Sequence, residues 1–585
     1  MGDGRRDWPA DDSIARYLPY TSIAYLSMEI AIRPEIPTYS GGLGILAGDA
    51  ARTAADLGLP MVFVCLASRD GYLQQELRQD RGQVDAPDPW DPRAFARPLP
   101  AMVAVEIERR AVWVRPWLYA LQGISGGAVP VLLLDTDLAE NQACDRSITG
   151  RLYGGDQADR LRQEIVLGIG GERLLAALGF NISTYHLNEG HAALLPLTLL
   201  RRYPLRPAPP TGPVPYDTEP VLERCVFTTH TPVEAGHDRF PYDLVHSVLG
   251  DPVGAECLQA LAGPEALNMT LLALNLSGYV NGVARRQRET ASRMFPGYPI
   301  RAISNGVHPE TWVHPAFARL YDGIGPHWRY EPEILSRARD LSPEALLSAH
   351  REAKQALLTE VRARTGRTLD PERPIVAFAR RMTAYKRPGL VFEDRERLLR
   401  IAADRPFQFV FAGKAHPHDE AGKELIRRIG VETAEIGERL PIVFVPGYDF
   451  NLAKALVAGS DIWLNTPLPP LEASGTSGMK AALNGVPQLS VLDGWWAEGC
   501  VEGRNGWAIG TADGPADEHG SVLLDKLEHV VLPLFHRDHQ GWARVMAGAI
   551  AETGALFTSH RMMRRYAAEA YLGSGRPLNP WPAPG

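Results

Sequence analysis

The chain has 585 residues, 45% of them hydrophobic and 22% charged, with a formal net charge of -8 and a pI near 6.1. That length allows two to four globular domains. The acidic balance excludes the clustered excess of Lys and Arg that nucleic acid or an anionic membrane demands, although a local basic pocket stays open. Five cysteines, Cys65, Cys144, Cys225, Cys257 and Cys500, are far apart, odd in number and without CxxC or zinc-finger spacing, so they are read as reduced core thiols of a cytoplasmic protein. Charges at residues 1–13 have no apolar segment behind them, and no stretch approaches membrane-spanning length. The expectation is an unexported protein with no membrane partner.

In chain order, apolar and β-branched runs at 23–26, 61–66, 131–134 and 226–229 alternate with longer helical patterns. A second series follows at 375–378, 409–411, 442–445 and 462–464. Strand and helix in repeated alternation predict an α/β fold with parallel sheets, here two doubly wound, Rossmann-like domains facing across a cleft. The mixed-charge stretch 312–341, with a helix start at Ser342, Pro343 and Glu344, puts the boundary near residue 313. Domains of 1–312 and 313–585 are expected. The Asp- and Pro-rich stretch 83–100 and the proline-rich stretch 204–220 are read as surface loops. Open sheets of this kind bind ligands at the carboxyl ends of their strands, so each half should contribute strand-end loops to one site.

Leu471-Glu472-Ala473-Ser474-Gly475-Thr476-Ser477-Gly478-Met479-Lys480 follows the strand at 462–464 and precedes an expected helix at 480–484. A loop of small residues opening a helix presents N–H groups to an anion, but alone it is an ordinary tight connection. A lysine at a helix start is disfavoured unless something anionic or covalent holds it. A Schiff base to an aldehyde cofactor bearing a phosphate satisfies both features. Ser40-Gly41-Gly42-Leu43-Gly44, before a helical pattern at 45–57, is a second glycine-rich anion loop or a plain β-to-α turn. Arg380, Arg381, Lys386 and Arg387 cluster after the strand at 375–378, either as a solvated turn or as a cradle for dianions. Lys414 ends the strand at 409–411. His186-Leu187-Asn188-Glu189-Gly190-His191 has neither HExxH nor HxxEH spacing, so no metal is expected there. His416 and His418 are read as a polar helix start.

These residues resemble the glycogen and maltodextrin phosphorylases, whose pyridoxal-phosphate lysine lies in a Glu-Ala-Ser-Gly-Thr-x-x-Met-Lys segment, and the similarity runs from Leu26-Ser27-Met28-Glu29 to Asp493-Gly494. The resemblance implies the GT-B glycosyltransferase architecture, with the sugar and phosphate side in the first domain and pyridoxal phosphate in the second, whose last helices cross back. It implies Lys480, Gly475, Thr476 and Ser477 at the cofactor. Arg381, Lys386 and Lys414 fall at the phosphates, and the carbonyl of His230 near the anomeric carbon. Gly42, Leu43, Gly44, Asn305, Tyr385, Tyr448, Glu472, Ser474 and Gly475 fall at the substrate, with the 186–191 segment lining the cleft. Implied partners are inorganic phosphate, a sugar 1-phosphate and a glycoside or glucan; the family is often dimeric. The chain is shorter than well-known members and is expected to lack their N-terminal regulatory helices.

Glycosidases need two carboxylates flanking the scissile bond, and the sequence shows no convincing pair. Under the resemblance, phosphate chemistry replaces them and the anomeric configuration is retained. The rival reading is a GT-B transferase using an activated sugar donor: retaining glycogen synthases carry a second glutamate eight positions after the first, where this chain has Lys480 after Glu472. Two departures bear on the substrate. Leu468 and Pro469 stand where bacterial relatives often carry two arginines, and Gln287 stands where they usually carry histidine.

Overall fold

Each apolar run marked above is a strand, because residues of this kind, buried on both faces, fit a sheet covered by helices. The computed structural model describes residues 13–78, 81–205 and 212–572. Residues 1–12 of the N-terminal reading and 206–211 of the proline-rich stretch lie outside it.

The first half begins with β1 (Ile23–Ser27), α1 (Gly42–Asp56), β2 (Met61–Leu66), and a hairpin of β3 (Gln74–Leu77) and β4 (Gln83–Ala86). β5 (Arg97–Pro98), β6 (Val103–Ile107), β7 (Arg110–Gln122), β8 (Ala128–Asp135) and α2 (Gln157–Ile165) follow. β9 (Thr184–Asn188), β10 (Cys225–Thr228), β11 (Arg239–Pro241), β12 (Ala266–Asn268), β13 (Tyr279–Gly282) and β14 (Arg301–Ala302) complete it. The main sheet has the order β14-β13-β10-β9-β1-β2-β8-β7-β5, with β6 on β7. It is parallel from β14 to β8, as at β1 with β9 and β2 with β8, and antiparallel where β7 meets β8.

The second half holds α3 (Pro343–Thr365), β15 (Ile375–Ala379), β16 (Gln408–Ala412), β17 (Ile442–Val445), α4 (Phe450–Gly459), β18 (Ile462–Asn465), α5 (Ser477–Ala482), β19 (Gln488–Val491), β20 (Gly506–Ile509) and α6 (Ser559–Tyr566). Its sheet runs β17-β16-β15-β18-β19-β20, all parallel. This doubly wound order reverses between β15 and β18, and such a reversal opens a crevice at the strands' carboxyl ends. α3 starts as expected: Ser342 caps it by accepting a hydrogen bond from Ala345 N, Pro343 fills a position needing no N–H donor, and Gly366 ends it in the left-handed conformation.

Several expectations change. The mixed-charge stretch 312–341 is a helical layer whose scattered aromatics Trp312, Phe317, Tyr321 and Trp328 are buried in the second core. Cys65, Cys225 and Cys257 are buried, but Cys144 is exposed and Cys500 half-buried; all five are free. The stretch 83–100 is not all surface loop, for β4 carries the buried Gln83 onto the other half. Gln83 Nε2 donates to Ala415 O at 3.0 Å, and Ala415 N donates to Gln83 Oε1 at 2.9 Å. Gln75 on β3 donates through Nε2 to Gly413 O at 2.8 Å and accepts from Gly447 N at 3.0 Å. A polar hairpin of the first half therefore closes over the ends of β16 and β17.

α6 also ties the halves. Asn281 Nδ2 donates to Tyr566 OH at 3.0 Å, which lies 3.1 Å from Thr228 Oγ1. Among the described residues, no helix is long and apolar enough to cross a membrane. Gln75→Ala leaves a buried N–H and C=O at the junction without partners, at about 1–3 kcal/mol per orphaned group. The expected outcome is a lower chemical-denaturation midpoint, whereas Gln74→Ala on the exposed face of the same strand leaves it unchanged.

Candidate functional site

The carboxyl ends of both sheets deliver the polar residues. β15 ends into Arg380, which reaches the buried Glu472 at 2.7 Å; Lys386 Nζ donates to the same carboxylate oxygen. Burial alone would raise the Glu472 pKa, but the charges of Arg380 and Lys386 outweigh it and hold the carboxyl below its ordinary range. Lys386 lies over the Tyr385 ring at 4.5 Å. Tyr448, after β17, is pushed up to about 12 by burial, with Arg380 opposing. Gly475 has φ +88°, and a Cβ there would stand 3.5 Å from Glu472 and 3.6 Å from Arg380 Nη2. Arg380, Tyr385, Lys386, Tyr448, Glu472 and Gly475 thus form one group.

Arg381 is not part of this group: it is exposed, and its charge acts on Tyr72 across the junction and on His416 of its own half. Burial, with Arg381 second, lowers His416 to about 4. Lys414 donates to Leu73 O at 2.8 Å, and burial lowers its pKa. Arg387 is structural: its guanidinium donates to Thr466 O at 3.0 Å, Pro467 O at 2.9 Å and Ala516 O at 3.1 Å, and meets His519 Nδ1 at 2.6 Å. Of the four cations read as one cluster, two pair with Glu472, one braces the backbone and one faces the junction.

Sequence reasoning did not single out the turn after β19 as a clamp. Asp493 accepts from Glu472 N and Gly494 N, both at 2.9 Å. Trp495 donates through N to Ser474 O and through Nε1 to Gly475 O, also at 2.9 Å. Burial, then the Glu472 charge, lifts Asp493 to about 6. The Ser474 hydroxyl is buried without a partner. Ser477 accepts from the Trp463 indole at 3.1 Å, which draws it toward the core.

α5 begins at Ser477, so Lys480 sits in its last turn and not at its start. A cation is favoured there, and the helix-start argument for this lysine falls. Burial without a partner sets it apart, since the equally buried Lys354 and Lys386 both pair with carboxylates. Lys480 Nζ has no hydrogen-bond or ion-pair partner among the described residues and lies 4.1 Å from the centre of the Trp312 ring. Desolvation lowers its pKa to about 8, with Asp49 opposing and Arg52 assisting. Both come from α1, and Asp49 is fixed by Trp312 Nε1 at 2.8 Å and His308 N at 3.1 Å.

α1 starts at Gly42, three residues before its expected start, so Gly42, Leu43 and Gly44 form its first turn with no side-chain cap. A Cβ on Gly41 or Gly42 would meet nothing within 4 Å, whereas one on Gly44 would stand 2.6 Å from Tyr39 Cβ and 2.8 Å from Glu29 Oε2. Glu29, just past β1, takes the N–H groups of Ser40 at 2.5 Å and Gly41 at 3.1 Å. His230, after β10, bonds Asn188 Oδ1 through Nε2 at 2.7 Å, and its backbone N donates to Glu189 at 2.7 Å. Burial lowers this imidazole to about 3, so it is neutral near pH 7. Asn305 is buried with Oδ1 unpartnered. Gln287 is buried and accepts from Val283 N at 3.1 Å, which makes it a backbone brace. In the 186–191 segment, His186 uses both ring nitrogens, on Tyr571 OH and Thr228 Oγ1. His191 and Asp238 both meet Arg160.

The sequence has relatives among known proteins. The family model for carbohydrate phosphorylase matches residues 225–500. A maltodextrin phosphorylase of Thermococcus litoralis is 38% identical, over 94% of this chain and 70% of its own length. A glycogen phosphorylase of Mycobacterium tuberculosis is 36% identical, over 95% and 71%. A glycogen phosphorylase of Aquifex aeolicus is 35% identical, over 94% and 86%. With similarity of that extent spanning both sheets and the Glu472 to Lys480 segment, the chain belongs to the carbohydrate phosphorylase family.

Proposed function

We propose that the protein is a retaining glucan phosphorylase that moves a glucosyl unit between an α-glucan or related glycoside and inorganic phosphate, giving a sugar 1-phosphate. The observation that carries the reading is Lys480: a buried amine with no hydrogen-bond or ion-pair partner among the described residues, on the helix that follows a loop held beside two cations. The residues present fit pyridoxal phosphate. The amine is neutral in a substantial fraction near pH 8, Trp312 supplies an apolar wall, and the buried Ser474 hydroxyl lacks a partner. Residues 1–312 then form the sugar and phosphate side and 313–585 the cofactor side, with the free, widely separated cysteines supporting a cytoplasmic setting.

The chain's own residues do the following. One carboxylate, Glu472, against Arg380 and Lys386 leaves the group positively charged, so it keeps attraction for a phosphate dianion while a fixed partner prevents the cations from spreading apart. Arg381 and Lys414 add charge from the hairpin side. The open first turn of α1 offers the N–H groups of Gly42, Leu43 and Gly44 to an anion. Neutral His230 cannot serve as a general acid; its fixed ring holds its backbone carbonyl toward the sugar. Asn305, Tyr385, Tyr448 and Glu472 take sugar hydroxyls, and the Gly475 to Ser477 turn takes the cofactor's phosphate. Bound at Lys480, the cofactor supplies its phosphate group as the proton donor or relay to the substrate phosphate. Leu468 and Pro469 offer the sugar no side-chain donors, and Arg387, committed to the backbone, cannot replace the absent cations, so the acceptor is read as smaller or less polar than a long glucan.

Borohydride reduction of cofactor-saturated protein and peptide mass mapping should place one pyridoxyl adduct on Lys480. An adduct on any other lysine, or none, overturns the reading. In cofactor-free protein, aldehyde labelling of Lys480 should reach half its limiting rate near pH 8, far below the roughly 10.4 of an exposed lysine. The folded pKa is below the unfolded one, so this lysine costs stability at low pH, and the cost fades as pH rises from about 8 toward 10.5.

Gly42→Ala places a methyl where the fold has room. The melting temperature should stay within about 2 °C, since compatible surface changes stay within about 0.5 kcal/mol, while KM for phosphate rises severalfold. Equal phosphate KM would remove this turn from the site. kcat/KM for maltoheptaose, maltose and non-glucan glycosides tests the acceptor: each lost hydrogen bond to a sugar hydroxyl is worth about 0.5–1.5 kcal/mol, so long maltodextrins should hold no advantage. Efficiency rising steadily with chain length and exceeding every other substrate would reject this.

A further inference from the structure

Tyr153 is one of the few non-glycine residues with positive φ, at +55°. Such a backbone costs about 1–3 kcal/mol and persists only where the surroundings over-determine it. Two contacts hold it. Its hydroxyl donates to Glu29 Oε1 at 2.9 Å, and the Arg160 guanidinium from α2 lies 4.4 Å above its ring. The other Glu29 oxygen takes Ser40 N and Gly41 N, and the Ser40 hydroxyl lies 3.2 Å from both oxygens. Gly44 lets the carboxylate approach, since a Cβ there would stand 2.8 Å from Glu29 Oε2. Glu29 therefore divides the amides of the glycine-rich turn, keeping those of Ser40 and Gly41 for itself and leaving those of Gly42 onward for a ligand.

We infer that Glu29 and Tyr153 are positioning residues for phosphate: Glu29 locks the turn that presents the Gly42 to Gly44 amides, and Tyr153 locks Glu29. The inference rests on the phosphorylase reading above. The physical need is clear, because a carboxylate free to rotate would swing toward the same amides and compete with the incoming dianion for them. Its two oxygens are instead saturated from behind by one phenol, one serine and two backbone donors. Arg160 fixes the ring, and it is itself anchored by Asp238 at 3.0 Å and by His191 Nε2 at 3.1 Å. The turn over the phosphate is thereby connected to the loop after β9 through Tyr153 and Arg160.

Tyr153→Phe removes the hydroxyl and keeps the ring under Arg160. In the cofactor-loaded protein, the dissociation constant of inorganic phosphate by calorimetry and its KM should both rise about tenfold, the scale of one lost hydrogen bond to a charged acceptor. KM for the glucan and the cofactor content should stay at wild-type values, and the melting temperature should fall only by the few degrees that one lost hydrogen bond accounts for. Glu29→Gln, which turns an acceptor into a donor facing donors, should do the same more strongly, and Glu29→Asp should recover part of the loss. Unchanged phosphate binding in Tyr153→Phe, or parallel loss of phosphate and glucan affinity with a lowered melting temperature, overturns the inference while wild-type turnover upholds the phosphorylase reading. Wild-type protein that neither binds phosphate nor turns over overturns both.

Discussion

Buried charge at this site is tolerable only because Glu472 stands between Arg380 and Lys386. Removing one member of such a group leaves an uncompensated buried charge, which is strongly destabilising, so the strand end after β15 and the loop after β18 must be held in register. The clamp of Asp493 and Trp495 on the backbone of 472–475 provides that register. Arg387 fixes the neighbouring carbonyls of Thr466 and Pro467. The site is thus assembled from the backbone outward, with Arg380 and Lys386 held on Glu472 and Arg381 left facing the junction between the halves.

The same logic governs the first half with opposite charge. Glu29 and Glu189 lie just past β1 and β9, two paired strands at the point where the sheet order reverses. Each is buried and spends its oxygens on the backbone of a nearby loop: Glu29 on Ser40 and Gly41, Glu189 on Gly190 and His230. Carboxylates used this way organise N–H groups without offering an acid and base for glycoside cleavage. α1 then joins the sides, since its first turn carries the open glycines and its later turns carry Asp49 and Arg52 beside Lys480.

Closure of the junction is polar at the hairpin and strand ends and apolar where Met562 and Met563 of α6 pack into the first-half core. Gln75, Gln83 and Lys414 bond directly to backbone of the opposite half, and Asn281 and Thr228 meet Tyr566. Hydrogen bonds of this kind exchange readily with water, at a net worth of about 0.5–1.5 kcal/mol each.

The sequence by itself determined the strands and their alternation with helices, because periodicity and β-branched runs are local properties, and it placed Glu472 and Lys480 in one segment through a resemblance carried by consecutive residues. It also located the start of α3 from Ser342 and Pro343, since capping is settled within four residues. It misplaced the starts of α1 and α5, where glycine and serine form a first helical turn that apolar periodicity does not mark. The partners of each cation were beyond it: Arg380 and Arg381 are neighbours in sequence, yet one is buried on Glu472 and the other exposed at the junction. Only the tertiary structure decided that Lys480 has no ion-pair partner among the described residues, that Trp312 walls it, that Gln83 crosses to the other half and that Tyr153 supports Glu29. The physical reason is the same in each case: burial and pairing depend on residues tens to hundreds of positions apart, brought together by sheet order and by α6 crossing back, and no local pattern encodes that distance.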